Sequence, residues 1–238
     1  MGRAYQVRAS SMAATAAKRS ALFMRASKEI YMAAKSGVAD PESNLALRAA
    51  IDKYRALNVT REVIDRAIKK AAGGEVEAYN AGRYEAFGPG GCFLIVDTLT
   101  DNTNRAISEV RSAITKRGGK MGSVLFNFTE YGQLVFAGQS QSAVEEQLIL
   151  NDVDVQAINV LPEQIEVLVS PTSFAQAKKV LETMGVTAFV VAEITLIPND
   201  TTTLEGENLQ LFKQLLDVLD ELQDVQNVYH NVSFAEEK

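Results

Sequence analysis

Basic side chains are concentrated at the start of this sequence. The first 28 residues carry six arginines and lysines and no aspartate or glutamate. Residues 1–80 have a net charge of +6, whereas residues 81–238 have a net charge of −12. Clustered guanidinium and ammonium groups bind the phosphates of a polyanion, and a basic end on an acidic body is typical of a nucleic-acid-binding module.

A further group of basic residues shares one face of a predicted helix. Arg66, Lys69 and Lys70 are spaced i, i+3, i+4, which places them opposite an apolar stripe. Tyr5 lies between two arginines and offers a surface on which a base could stack. A solvated helix surface is the alternative, but such surfaces usually mix charges of both signs, so we favour binding. The predicted nucleic-acid-binding residues are Arg3, Arg8, Lys18, Arg19, Arg25, Lys28, Arg66, Lys69 and Lys70.

Catalytic and metal chemistry find little support in the sequence. Its one cysteine, Cys92, and its one histidine, His230, lie far apart, so neither a metal cluster nor a cysteine–histidine pair is indicated. Cys92 opens an apolar run, which favours a buried structural thiol. Adjacent acids such as Glu145 and Glu146 do not face each other on a helix. We therefore expect no enzymatic activity, no cofactor, no metal and no small-molecule substrate.

Two loops have the composition of ligand-binding motifs. The glycines of residues 87–91 precede a strand, whereas a phosphate loop follows a strand and opens a helix, so we interpret them as a tight turn between domains. The polar segment 100–105 lies between a predicted strand and a predicted helix. Helix capping is the favoured interpretation of that segment, and an anion-binding patch is the alternative.

Cysteine content and hydropathy bear on the compartment. A single cysteine permits no disulfide within the chain, which fits a reducing environment. The apolar runs are too short to span a bilayer. An acid-free start rich in Ser, Ala and Arg is also typical of an organelle transit peptide, but the basic character continues as far as Lys70. We therefore expect a cytoplasmic protein that does not contact a membrane.

The elements that must position the basic residues are predicted from periodicity and capping. Residues 1–17 are small and polar and are interpreted as a poorly ordered arm. Three helices follow: the first over 18–36, the second starting at Asp40-Pro41-Glu42, and the third running from its cap Thr60 to Gly73-Gly74. Together they form a predicted basic helical domain over residues 1–78.

After residue 78 the pattern becomes mixed. Strands are predicted at 93–99, 123–128, 133–136, 155–160, 165–169, 188–197 and 228–234, and helices at 102–117, 143–150, 174–184 and 209–222. A hairpin loop over 129–132 joins two of the strands. The order β-α-β-β-α-β from 133 to 197 is that of a ferredoxin-like unit. The predicted fold class is α+β, with the inserted domain at 133–198 and a discontinuous domain at 79–132 plus 199–238.

Four segments together resemble the YebC/PmpR family, which includes the mitochondrial translational activators of cytochrome c oxidase. They are residues 57–71 with Gly73-Gly74, residues 83–91 (RYEAFGPGG), residues 99–105 (LTDNTNR) and residues 228–232 (VYHNV). The resemblance implies three domains, a helical one followed by two α+β ones, and no enzymatic activity or cofactor. Tyr5-Gln6-Val7 replaces a Lys-Trp-Asn-Ile-like arm, and the loop at 122–124 looks shorter, which suggests a divergent paralogue branch.

The resemblance implies a DNA-binding transcriptional regulator, with nucleic acid as the partner. A translation factor that binds ribosomal RNA and relieves stalling, for example at proline runs, is the alternative. The sequence shows no recognition helix with base-reading side chains in series, which favours RNA over sequence-specific DNA. A third hypothesis is an interaction adaptor, since residues 121–238 carry a net charge of −14 and would suit a basic partner protein.

Overall fold

The computed structural model describes residues 3–73 and 77–234, with side chains from residue 15 onward. The helices are α1 (Arg3–Lys35), α2 (Leu45–Ala56), α3 (Arg61–Ala72), α4 (Thr103–Thr115), α5 (Gln141–Leu150), α6 (Phe174–Thr183) and α7 (Gly206–Glu221). The strands are β1 (Asn80–Phe87), β2 (Phe93–Thr100), β3 (Lys120–Met121), β4 (Phe128–Phe136), β5 (Val155–Leu161), β6 (Gln164–Val169), β7 (Phe189–Pro198) and β8 (Val225–His230). This architecture confirms the predicted α+β class, with a helical N-terminal region followed by sheets.

The prediction of a poorly ordered arm over residues 1–17 was wrong from Arg3 onward, because α1 is already helical there. Residues 3–36 contain neither glycine nor proline and are rich in alanine, the best helix former. The apolar stripe recognised over 18–36 therefore belongs to the second half of a longer helix. Residues 1 and 2 lie outside the described part of the chain.

The second helix begins four residues later than predicted. Asp40 accepts hydrogen bonds from the Glu42 amide and the Ser43 hydroxyl, which makes a turn rather than a helix cap. The N-cap is Asn44, whose Oδ1 accepts from the Leu47 amide at 3.0 Å. Its side-chain amide also donates to two carbonyl oxygens at the end of α1 and in the following loop. Asn44 thus fixes α2 against α1.

Apolar faces of α1, α2 and α3 form one core. Ile30, Tyr31, Leu47 and Ile64 are almost fully buried in it. The third helix begins after Thr60 and ends at Gly73, as predicted. Gly74 lies outside the described residues.

The first sheet has the order β3-β1-β2-β8 with antiparallel neighbours. Helices α4 and α7 cover one of its faces through Val110, Ile114, Phe212 and Leu215. Strand β1 was missed by the sequence analysis because its outward residues, such as Arg83, give it the polarity of a linker. The glycine-rich segment after it is the β1–β2 hairpin loop, not a turn between domains.

The second sheet has the order β5-β6-β4-β7, again antiparallel, with α5 and α6 on one face. This confirms the predicted ferredoxin-like unit. The predicted strand at 123–128 and hairpin loop at 129–132 were wrong, because β4 runs unbroken through the loop. Gly132 is needed here for its small size and not for a turn. A Cβ added at this position would lie 2.8–2.9 Å from atoms of Phe174 and Val169.

Contacts divide the chain into two compact units, residues 126–201 and the remainder. The predicted insert at 133–198 lies inside the smaller unit, and the predicted boundary at residue 78 lies inside the larger one. The three-domain division therefore stays a prediction.

Gly132→Ala should lower the free energy of unfolding by about 1–3 kcal/mol, because a methyl group is forced into a filled space beneath Phe174. Urea unfolding followed by circular dichroism measures this. Phe174→Ala is destabilising by itself, but Gly132→Ala should cost less in that background than in the parent protein, because one of the crowding atoms has been removed. An unchanged transition in Gly132→Ala would mean that residue 132 lies in an open loop.

Candidate nucleic-acid interface

Three of the predicted binding residues on α1 face acids at the end of the chain. Lys18 Nζ lies 2.6 Å from Asp217 Oδ1, and Arg25 Nη2 lies 2.6 Å from Asp220 Oδ1. Arg25 also donates to the Asp220 carbonyl oxygen. These ion pairs join residues almost 200 positions apart and hold α1 against α7.

The third pair, between Lys28 and Asp224, is buried. Lys28 Nζ lies 2.6 Å from Asp224 Oδ1, and the two side chains are only 8% and 2% exposed. The same ammonium donates to the carbonyl oxygens of Leu99 and Gln223 at 3.1 and 3.0 Å. Its three donors are therefore used inside the protein. This arrangement leaves Lys28 a structural role and no reach toward an external phosphate.

Asp224 binds a second cation as well. Arg105 Nε and Nη2 each lie 2.9 Å from one of its carboxylate oxygens, which is a bidentate pair. Arg105 also hydrogen-bonds Asp101, and this bond lowers the pKa of Asp101. Asn102 caps α4 by accepting from the Arg105 amide. Segment 100–105 thus caps a helix, as predicted, and it also completes an internal ion network that was not predicted.

Lys18 and Arg25 differ from Lys28 in exposure. The Lys18–Asp217 pair is open to solvent, with side chains 38% and 63% exposed. The hydrogen bond that Lys18 donates to Asp217 raises the pKa of Lys18. Such a pair is weak in water, so a phosphate can compete for Lys18. Arg25 is intermediate, because its side chain is 13% exposed and its partner 45%.

Arg19, Arg66 and Lys69 present free charge to solvent. All three are exposed, and no acid within the described residues forms an ion pair with them. Arg19 packs over the ring of Phe23 at 5.2 Å. Lys70, the fourth exposed cation of the predicted set, instead pairs with Glu77, and its hydrogen bond lowers the pKa of that carboxyl.

Arg3 and Arg8 belong to the N-terminal turns of α1. Their side chains, and that of Tyr5, lie outside the described residues. Their assignment as binding residues stays a prediction.

The acids that pair with α1 were not identified from the sequence. Asp217 and Asp220 are three positions apart on α7, the spacing of one helix face, and Asp224 follows four positions later in the turn before β8. Their partners on α1 recur at spacings of seven and three, again one face. Two stripes of opposite charge at helical spacing are a signal that sequence inspection can use.

Cys92 lies in the core of the first sheet, and His230 is half-buried on β8 of the same sheet. Cys92 is 1% exposed, and burial raises its pKa to about 11. His230 sits edge-on to Phe212 at 5.1 Å, and burial lowers its pKa. The described residues contain no group of three or more His, Cys, Asp or Glu side chains placed to hold a metal ion. Among the described helices, none has the length and apolar character required to cross a bilayer.

These elements define a class of α+β protein with a basic helical N-terminal region and two four-stranded antiparallel sheets. Residues 3–74 match the TACO1/YebC protein N-terminal domain, and residues 79–232 match the TACO1/YebC second and third domain. The chain belongs to the TACO1/YebC family, which confirms the resemblance found in the sequence.

Relatives extend over the whole chain. A "probable transcriptional regulatory protein Mfl546" of Mesoplasma florum is 49% identical and covers 98% of this chain and all of its own length. A "probable transcriptional regulatory protein" of Marinobacter nauticus is 45% identical and covers both chains fully. The crystal structure of a conserved hypothetical protein, Aq1575 from Aquifex aeolicus, is 34% identical, with a TM-score of 0.75 over 92% of each chain. The family therefore includes proteins named as transcriptional regulators.

Asp224→Asn should lower the free energy of unfolding by about 3 kcal/mol, because it leaves the Lys28 ammonium buried without its counter-charge. Asp217→Asn is the matched control and should cost less than about 1 kcal/mol, since that pair is exposed. Thermal unfolding of the two variants provides the comparison. Equal losses would show that the buried network does not anchor α1.

The Cys92 thiol should be nearly unreactive in the folded protein. With a pKa of about 11, its thiolate fraction at pH 8 is roughly two orders of magnitude below that of a free cysteine, and burial blocks access further. Iodoacetamide labelling followed by mass spectrometry should be slow in buffer and fast in urea. Rapid labelling of the native protein would contradict the structural interpretation of Cys92 and favour a nucleophilic role.

Proposed function

We propose that this protein is a non-enzymatic regulator of gene expression that binds the phosphate backbone of nucleic acid through its helical N-terminal region. The observation that carries the proposal is that three of the predicted binding residues, Arg19, Arg66 and Lys69, are exposed and form no ion pair with an acid of the described residues. They lie on a region with a net charge of +6, and phosphate contacts of this kind supply sequence-independent affinity.

The names of the relatives support a regulatory role. Proteins 49% and 45% identical over their full length are named probable transcriptional regulatory proteins. The burial of Cys92 supports a non-enzymatic role, because a nucleophile needs access to substrate. Lys18 is included among the proposed binding residues because its ion pair is exposed and exchangeable. Lys28 is not included, because its ion pair is buried.

A ribosomal RNA target is the second candidate function. On α3 the exposed face of Arg66 and Lys69 also presents the acids Glu62 and Asp65, and no Asn or Gln. Base edges are read mainly by bidentate Arg, Asn and Gln, so this face suits backbone contacts better than sequence readout. Recognition by backbone and shape is the usual mode on folded RNA.

The adaptor hypothesis loses part of its basis. Three acids of the C-terminal segment, Asp217, Asp220 and Asp224, are counter-ions of α1. They are therefore engaged within the chain, and the acidic body has less charge free for a basic partner than its composition suggests.

The double variant Arg66→Gln/Lys69→Gln should weaken binding and reduce its salt dependence. If both side chains contact phosphate, the slope of log K against log salt should fall by about 1.4–1.8. Both side chains are exposed, so the fold should be retained. Fluorescence anisotropy on duplex DNA and single-stranded RNA, and cosedimentation with ribosomes, measure the effect and rank the targets.

Lys178→Gln/Lys179→Gln on α6 is the matched control, since it removes the same charge from the other unit. Its slope should equal that of the parent protein. A parent-like slope for the α3 variant on all three ligands would refute phosphate binding by this helix.

A further inference from the structure

A second basic surface lies in the acidic part of the chain. Residues 111–120 contain four basic side chains and no acid, although residues 81–238 as a whole have a net charge of −12. The four are Arg111, Lys116, Arg117 and Lys120. Summing charge over the whole body conceals this cluster, and the sequence analysis did not single it out.

Arg111 of helix α4 and Lys116, its C-cap, lie on one face of the helix. Ser108, Arg111, Ser112, Thr115 and Lys116 are related by steps of three and four residues, so they share the face turned away from the sheet. They line a shallow groove of about 380 Å³ together with Ile107. Lys120 follows on β3, where it packs over the ring of Phe87.

The opposite face of α4 is fixed in the core. Ala106, Val110, Ala113 and Ile114 are 0–4% exposed, and Asn102 and Arg105 anchor the N-terminus of the helix. The basic face is therefore carried by a rigid element, and a ligand would meet it already formed.

These cations lack counter-ions within the described part of the chain. Arg111, Lys116 and Lys120 are exposed, and no acid there lies within ion-pair distance of them. In the same unit Lys18, Arg25 and Arg105 are paired, whereas the cluster resembles Arg19, Arg66 and Lys69, the unpaired cations of the proposed binding surface. Like charges placed together without acids repel, so the cluster is better explained by an external anion than by stability.

The helix dipole accounts for only part of the cluster. Cations near a helix C-terminus are favourable, but the effect decays within the last turn. That explains Lys116 and Arg117, whereas Arg111 lies a turn earlier and Lys120 lies on a strand. Serine and threonine hydroxyls beside arginine and lysine are typical of phosphate contacts.

We infer that this α4 face binds a second stretch of phosphodiester backbone on the nucleic acid bound by the helical region. Arg111, Lys116 and Lys120 supply the charge, and Ser108 and Ser112 donate hydrogen bonds to phosphate oxygens. The inference rests on the proposed function, and it extends the footprint of binding beyond residues 3–73.

The test compares two double variants of equal charge change, Arg66→Gln/Lys69→Gln and Arg111→Gln/Lys116→Gln, in the full-length protein. Binding to duplex DNA and single-stranded RNA is measured over a range of salt concentrations. The α4 variant should lower the salt slope by about 1.4–1.8, and the combined variant by about twice that. Arg111→Lys/Lys116→Arg should retain the parent slope, and Lys116→Gln alone should give about half the drop.

Two outcomes separate this inference from the proposed function. If the α3 variant lowers the slope and the α4 variant does not, the α4 surface does not bind nucleic acid and the proposed function stands. If neither variant lowers the slope, both are refuted. Poly-glutamate is a further probe: an α4 variant that loses only poly-glutamate binding would assign the face to an acidic protein and overturn the inference.

Discussion

The buried carboxylate of Asp224 is the interaction on which the rest of the larger unit depends. It binds Lys28 from α1 and Arg105 from α4, while its own backbone carbonyl accepts from the Leu99 amide on β2 at 2.8 Å. A carboxylate that is 2% exposed would be costly to bury alone. Two cations and a full set of hydrogen bonds offset that cost, and they require α1, α4 and the start of β8 to meet at one point.

This constraint changes how the charge of the chain is understood. The sequence suggests a basic module beside an acidic body with a separate partner. In the structure, the acids of α7 and the residues after it face the inner side of α1, and Lys18, Arg25 and Lys28 are their partners. Part of the acidic charge is therefore an internal counter-ion. Among the predicted binding residues, Arg19, Arg66 and Lys69 are exposed without such a partner in the described part of the chain, and they lie elsewhere on α1 and α3.

Local periodicity made much of the fold predictable, and non-local contacts account for what was missed. The third helix and the β-α-β-β-α-β unit follow from apolar spacing, which each segment carries by itself. Strand β1 could not be recognised because only Ala86 is fully buried along it, so its pairing with β2 decides its structure. Likewise Asp40 and Asn44 are both good caps, and only the bonds from Asn44 to α1 and to the loop after it decide between them.

The sequence indicates the region of the candidate site, but it does not indicate which cations of that region are exposed. The exposure of each cation depends on what packs against α1. A phosphate can compete with Asp217 for Lys18. Both side chains of this pair contact solvent, so exchanging one anion for the other changes the desolvation free energy little. To reach Lys28, a phosphate would have to displace a carboxylate and two carbonyl oxygens and strip Arg105 of its partner at the same time. Two lysines ten positions apart on one face of α1 therefore have different roles: Lys18 makes an exchangeable contact and Lys28 a fixed structural one. The net charge counts Lys18 and Lys28 equally. Their roles differ because the counter-ion of Lys18 is exposed and that of Lys28 is buried.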